Sequence, residues 1–170
     1  MHPETRTRIK LSGMRDELVF NDEAAAEYDR AFAHVTAYFM PFLLRAAHIA
    51  PGMRVLDVAT GTGLSAEAAL AAVGPTGHVT AADLSPAMAE KARERLGKAP
   101  NVSVSVEDGQ ALSFSGGSFD AVLCNLGLMF FPNPGRVCRS FAACFALAAA
   151  WPSRSIPWWS APMITRSTLL

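Results

Sequence analysis

The stretch VLDVATGTGLSA, residues 55–66, runs a β-rich segment through a turn holding Gly61 and Gly63 and straight into a helix start at Leu64. Few folds accept that sequence of events. A parallel sheet layered with helices does, because each of its strands must hand over to a crossover helix. Two glycines let the backbone pass close to a ligand, and the helix start offers unpaired N–H groups. Twenty residues after Gly63, at the end of the run HVTAAD, stands Asp83. A carboxylate at that place can accept both hydroxyls of a ribose.

The rest of the chain supports a sheet of this kind. Segments 53–59, 78–83, 101–107 and 119–126 read as strands, and 64–73 and 86–96 read as helices between them. Pro86 sits at the first turn of its helix behind Ser85, a good N-cap. Before the sheet, an acid-rich opening at Asp22 leads into an amphipathic helix with Tyr28, Phe32, Val35 and Phe39 at three- and four-residue steps. Pro41 is expected to interrupt it, with a second short helix through Ile49. Residues 1–20 read as a flexible arm. No internal repeat appears.

A chain of 170 residues suits one domain. Its fifteen basic and fifteen acidic residues cancel, which points away from nucleic acid and towards a small-molecule partner. FAACFALAAAW at 141–151 is too short to span a bilayer, and no apolar stretch backs the basic N-terminus as in a signal peptide, so a cytoplasmic location is expected. Cys124, Cys138 and Cys144 lack metal-ligand spacing and read as buried reduced thiols. His34, His48 and His78 show no partner spacing, and no metal site is expected.

The glycine turn and Asp83 fit two classes, because GTGLSA also satisfies the dinucleotide fingerprint with alanine in the third glycine's place. An NAD-dependent oxidoreductase is therefore one alternative. Asp57 argues against it, since it lies inside a strand that a nicotinamide site would keep apolar. VEDGQALSF then sets Asp108 at the end of the third strand, and GGSFDAVLCNLGLMFFPNP supplies a fourth.

With these four motifs in order over roughly residues 20–136, the sequence resembles the class I S-adenosylmethionine-dependent methyltransferases, particularly the ubiquinone and menaquinone C-methyltransferase-like group (methyltransferase type 11). The resemblance implies an α/β Rossmann-like fold with a parallel sheet of order 3-2-1-4, helices on both faces, and the C-terminal strands missing. It implies S-adenosyl-L-methionine as cofactor. Ala59, Gly61 and Gly63 would face its methionyl and ribose portions, with Asp57 supporting the turn and reaching the amino group through water. Asp83 would take the ribose hydroxyls, with Leu84 and Met88 beside the adenine. Asp108 would accept from the adenine amino group, Gly109 and Gln110 would line that edge, and Asn125 would lie near the transferred methyl. Tyr28 would close over the site, although its spacing from Phe32 equally suits a core position. Met88 and Met129 also read as core residues. The sulfonium itself activates the methyl, so no catalytic acid or base is assigned.

The tail departs from this pattern. All acidic residues lie at or before Asp120, all glycines at or before Gly135, and all three tryptophans at or after Trp151. The family continues with a helix, a phrase of the type LRPGGR and further strands, whereas the resemblance here stops at Cys138. Joining the last base of each codon to the first two of the next, Trp151-Pro152 forces alanine, Trp158-Trp159 valine and Met163-Ile164 aspartate. Permitted third bases then turn residues 138 onward into LSEFRRVLRPGGRVAVSV. Residues from about 138 are accordingly read as a frameshifted translation of a longer gene. The expected organisation is an arm (1–20), a truncated S-adenosylmethionine-binding domain (21–136) and an aberrant tail (137–170), helical to about 150 and then irregular. The fourth strand should be left with an apolar edge that invites makeshift pairing with the tail. Only weak cofactor binding is expected to survive, and turnover to be impaired. A non-catalytic module that binds S-adenosylmethionine, or a partner through the tryptophan-rich tail, is the other alternative.

Overall fold

The computed structural model describes residues 7–9, 18–20, 22–144 and 167–169, with side chains described at 31 and 33–144. Two short strands, β1 (Thr7–Ile9) and β2 (Leu18–Phe20), pair antiparallel. They fall in the segment expected to be a loose arm. A long helix α1 (Asp22–Ala46) follows. Next, β3 (Arg54–Val58), α2 (Leu64–Val73), β4 (His78–Asp83), α3 (Pro86–Leu96), β5 (Val102–Val106) and β6 (Ala121–Cys124) alternate, then α4 (Pro134–Cys144) and β7 (Ser167–Leu169). Strand and helix ends in the sheet region fall within two residues of those read from the sequence.

The sheet runs β5-β4-β3-β6-β7 with every pair parallel. Its first four strands have the expected 3-2-1-4 order. Period-two alternation sends Val55, Val79, Ala81, Ala121 and Leu123 to one face, where they pack on Met40 and Leu43 of α1, Ala47 just beyond it, Ala66, Ala69 and Val73 of α2, and Ala92 and Leu96 of α3. Leu56, Val58, Ala82, Val122 and Cys124 point the other way, against Val137, Phe141 and Cys144 of α4. Both faces are covered, which is why β3 and β6 carry almost no exposed side chain.

Three features differ from the sequence reading. Helix α1 runs unbroken through Pro41 to Ala46. The chain turns out of it through His48, whose φ of 52° is left-handed: the His48 N–H donates to the Arg45 carbonyl and the Ile49 N–H to the Leu44 carbonyl. The buried stripe of α1 is Thr36, Met40 and Leu43, continued by Ala47 just past its end, while Val35 is half-buried and Phe39 exposed. Tyr38, Phe39 and Phe42 instead form an exposed aromatic group. Finally, β7 lies in a stretch expected to be irregular. It answers an unpaired edge, since Val122, Leu123 and Cys124 align with Ser167, Thr168 and Leu169. Residues 145–150, the expected end of the last helix, lie outside the described residues.

The far ends of β3 and β6 are tied by Arg54 and Asp120. The guanidinium donates to both carboxylate oxygens at 3.2 and 3.0 Å, the Arg54 N–H donates at 2.9 Å, and the Asp120 N–H returns a bond to the Arg54 carbonyl at 2.8 Å. That clip sets the register of the two strands whose opposite ends open onto the cleft.

Candidate functional site

Strand β3 reaches the carboxyl edge of the sheet where neighbours lie to both sides, β4–β5 one way and β6 the other. A crevice opens at such a reversal point. The chain leaves β3 through three left-handed residues, Ala59 at φ 54°, Gly61 at 58° and Gly63 at 88°. This curl aims the N–H of Thr60 at the Ala82 carbonyl (3.1 Å) and the N–H of Gly61 at Oδ2 of Asp83 (2.8 Å). At Gly63 a Cβ would come within 3.2 Å of the Ala92 backbone, so that glycine serves the packing of α2 on α3. A Cβ at Gly61 would meet nothing within 4 Å, because its backbone faces the crevice.

Beneath the turn lies Asp57, fully buried. Its Oδ2 accepts the Thr60 hydroxyl at 2.6 Å and its Oδ1 has no partner. Burial pushes this carboxyl up to about 7; the Thr60 hydroxyl and the Ala66 N–H pull the other way, and the charge of Asp83 adds to the rise. Asp83 is itself raised, chiefly by burial, against the N–H groups of Ser85, Gly61 and Leu84. The Ser85 N–H donates to Asp83 Oδ1 at 2.9 Å, and the Ser85 hydroxyl then accepts from Met88 N–H at 3.4 Å as the α3 cap.

From β5, Glu107 is held by the Ser113 hydroxyl (2.6 Å) and N–H (3.1 Å). Asp108 follows, with Oδ1 accepting the Gln110 N–H at 2.9 Å. Phe131 covers Gly109 so closely that a Cβ there would fall 2.7 Å from the ring. Past β6 come Asn125, the left-handed Leu126 (φ 55°) and Gly127, where a Cβ would fall 2.5 Å from that of Ala59. The two turns therefore touch, and only glycine fits at the contact.

One cleft is lined by Ala59, Gly61, Asp83, Leu84, Met88, Asp108, Gly109, Gln110 and Asn125, all anticipated from the sequence. Asp57 and Gly63 lie behind its wall. Tyr28 belongs to α1, but its side chain lies outside the described residues. Sequence reasoning missed Val58, Glu107, Leu126, Gly127, Phe130, Phe131 and Pro132, which complete the lining. The signal was present in LMFFPNP: apolar residues in a connection between strand and helix need something to cover.

Other expectations resolve differently. Met129 is exposed rather than core, and Cys138 is exposed while Cys124 and Cys144 are buried; all three thiols are free. Burial, then the charge of Asp57, pushes the Cys124 thiol up to about 12, so it is no nucleophile near neutral pH. His34 and His48 are exposed, and His78 bonds Ser103 at 2.9 Å on the sheet's other end. Among the described residues no group of His, Cys, Asp or Glu could hold a metal ion, and no helix is long and apolar enough to cross a membrane.

Comparison with known proteins agrees with this layout. A methyltransferase domain family matches residues 55–147, past Cys138, where the sequence resemblance had stopped. The uncharacterized protein Rv1403c of Mycobacterium tuberculosis is 37% identical over 121 residues, 70% of this chain and 43% of that one. A demethylmenaquinone methyltransferase of Clavibacter sepedonicus is 40% identical over 117 residues, 66% of this chain and 46% of that one. The chain thus spans less than half the length of these curated relatives. A SAM-dependent methyltransferase from Aquifex aeolicus shares the fold, with a TM-score of 0.64, 21% identity, and coverage of 74% of this chain and 68% of that one.

Proposed function

The chain belongs to the class I S-adenosylmethionine-dependent methyltransferases, and from that premise we propose that it binds S-adenosylmethionine in the cleft and passes the methyl group to a small-molecule acceptor. One observation carries the reading. The acid ending β4 faces the same cleft as the glycine turn ending β3, with Asp108 of the next strand beside it.

The residues fit such a cofactor. Gly61 presents bare backbone to open space, which a ligand chain can approach closely. Asp83 Oδ2 accepts the Gly61 N–H and Oδ1 the Ser85 N–H, and a carboxylate has further acceptor positions that a ribose hydroxyl would use. Asp108 and Gly109 would meet the adenine, Leu84 and Met88 would pack on it, and Asn125 would stand near the methyl. Asp57 would steady the turn through Thr60, and Gly63 would keep α2 close. When bound, the cofactor supplies a methyl already made electrophilic by its sulfonium, so the chain's task is to orient the acceptor and exclude water. Phe130, Phe131 and Leu126 give the cleft an apolar wall suited to the second of these.

Calorimetry with S-adenosylmethionine, S-adenosylhomocysteine and NAD tests this reading. Micromolar binding of the first two is expected; binding of NAD alone would overturn it. The tail bears on turnover rather than on binding. Residues from about 138 are proposed to be a shifted reading of a longer gene, so domain 21–136 carries the cofactor site while the tail only patches the β6 edge. Sequencing the coding DNA decides this, since the proposal requires a one-base change that restores the LRPGGR-type phrase.

A further inference from the structure

The glycine turn is gripped from two sides. On the cleft side the Gly61 N–H donates to Asp83 Oδ2 at 2.8 Å. From behind, Arg95 near the end of α3 donates through Nε to the Thr62 carbonyl, also at 2.8 Å. Thr62 is buried and the Arg95 side chain is 26% exposed, so this charge-assisted bond is largely shielded from water. Neither residue lines the cleft. Arg95 also reaches Glu67 in the first turn of α2 at 3.5 Å, but that carboxylate is more than half exposed and the pair contributes little.

The Thr62 carbonyl belongs to the peptide unit that enters Gly63, whose φ is 88°. Glycine accepts φ of either sign at similar cost, so Gly63 does not by itself fix which way that unit faces. Turning the plane over would redirect the Gly63 N–H, which donates to the Thr60 carbonyl at 3.0 Å, and would release the curl around Gly61. The guanidinium opposes this by holding the Thr62 carbonyl towards α3. A Cβ at Gly63 would stand 3.2 Å from Ala92 and 3.6 Å from Arg95 Cδ, so the turn meets α3 as bare backbone with the arginine stem alongside. Helix α3 thus contributes twice: Met88 near its start lines the cleft, and Arg95 near its end holds the turn from behind.

We propose that Arg95 is a positioning residue for cofactor binding: from outside the cleft it holds the Thr62–Gly63 peptide plane, and with it the Gly61 backbone, in the curl that receives the ligand. This rests on the cofactor reading above. Three substitutions isolate the bond. Arg95→Met keeps most of the stem and puts a methyl where Nε stood. Arg95→Ala leaves a space that ethylguanidinium can fill. Glu67→Gln breaks the ion pair and keeps the arginine.

Calorimetry of the full chain with S-adenosylhomocysteine tests the assignment, beside thermal melting and the amide NMR resonances of Gly61 and Gly63 in the free protein. Both Arg95 variants should shift those resonances and bind about tenfold more weakly, as the fraction of correctly curled turn falls with the loss of one bond to a charged group. Millimolar ethylguanidinium should restore the affinity of Arg95→Ala, whereas neutral N-ethylurea should not, and Glu67→Gln should bind as the wild type does. Wild-type affinity in folded Arg95→Met refutes the role of Arg95 and leaves the cofactor reading standing. So does a loss that Glu67→Gln reproduces, that ethylguanidinium fails to reverse in Arg95→Ala, or that comes without the glycine shifts. If the wild type itself binds no S-adenosylhomocysteine, the cofactor reading falls and takes this proposal with it.

Discussion

Asp83 accepts the Gly61 N–H at 2.8 Å, so the acid ending β4 holds the turn ending β3 in its left-handed curl. Its other oxygen does the same for Ser85, the cap of α3. One carboxylate therefore braces both helix entrances that flank the cleft.

That double duty predicts the behaviour of Asp83 variants. Asp83→Ala strands two N–H groups and should cost about 1–3 kcal/mol, a melting temperature lower by several degrees. S-adenosylhomocysteine affinity should drop at least about tenfold. Asp83→Asn, which keeps one acceptor oxygen, should fall between the two in melting temperature. Thermal melting and calorimetry on the same samples check both effects, and unchanged affinity in Asp83→Ala would sink the ribose assignment.

Gly61 and Gly63 should separate binding from stability. An alanine at Gly61 carries only the left-handed strain, about 1 kcal/mol, but places its methyl in the cleft and should abolish cofactor binding. An alanine at Gly63 adds a 3.2 Å approach to the Ala92 backbone and should cost about 2–3 kcal/mol, with affinity in the surviving folded fraction much less affected. Urea denaturation beside calorimetry gives both numbers. The reverse pattern would mean that the cofactor lies elsewhere.

The sheet was legible because its strands announce themselves twice, by apolar runs and by the turn residues between them. The cleft lining was legible where the motif fixes the backbone, as at Gly61, Asp83 and Asp108. What could not be read was set by packing. On α1, Phe39 fits the helical period as well as Met40 does, and only the neighbouring sheet face decides which is buried. Pro41 reads as a break, yet α1 continues through it. The Phe131–Gly109 contact joins residues far apart in sequence, so neither residue alone predicts it. Asp83 read as a ligand group; its brace on the turn needed three dimensions.

Ala59 is a non-glycine residue at φ 54° in the tightest part of the site. Ala59→Gly should therefore gain about 0.5–1 kcal/mol, the left-handed penalty less the greater freedom of glycine when unfolded. Its Cβ stands where Gly127 approaches, so loss of that contact trims the gain. Chemical denaturation measures it, and a destabilised variant would show that the contact outweighs the strain.

Asp57 gives the chain a pH signature with a definite sign. Its folded carboxyl sits at about 7, above the ordinary 3.8, so the folded state holds a proton that the unfolded state has released between those values. A raised acid makes stability fall as pH rises through that window and level off above it. Asp83, raised in the same direction, adds to the slope. A comparison with Asp57→Asn isolates the one group. Between pH 5 and pH 8 the wild type should lose about 2–3 kcal/mol relative to that variant. Urea melts at the two pH values measure the difference. A gap that does not change with pH would mean that Asp57 is ionised throughout, its orphaned Oδ1 satisfied by a donor such as water.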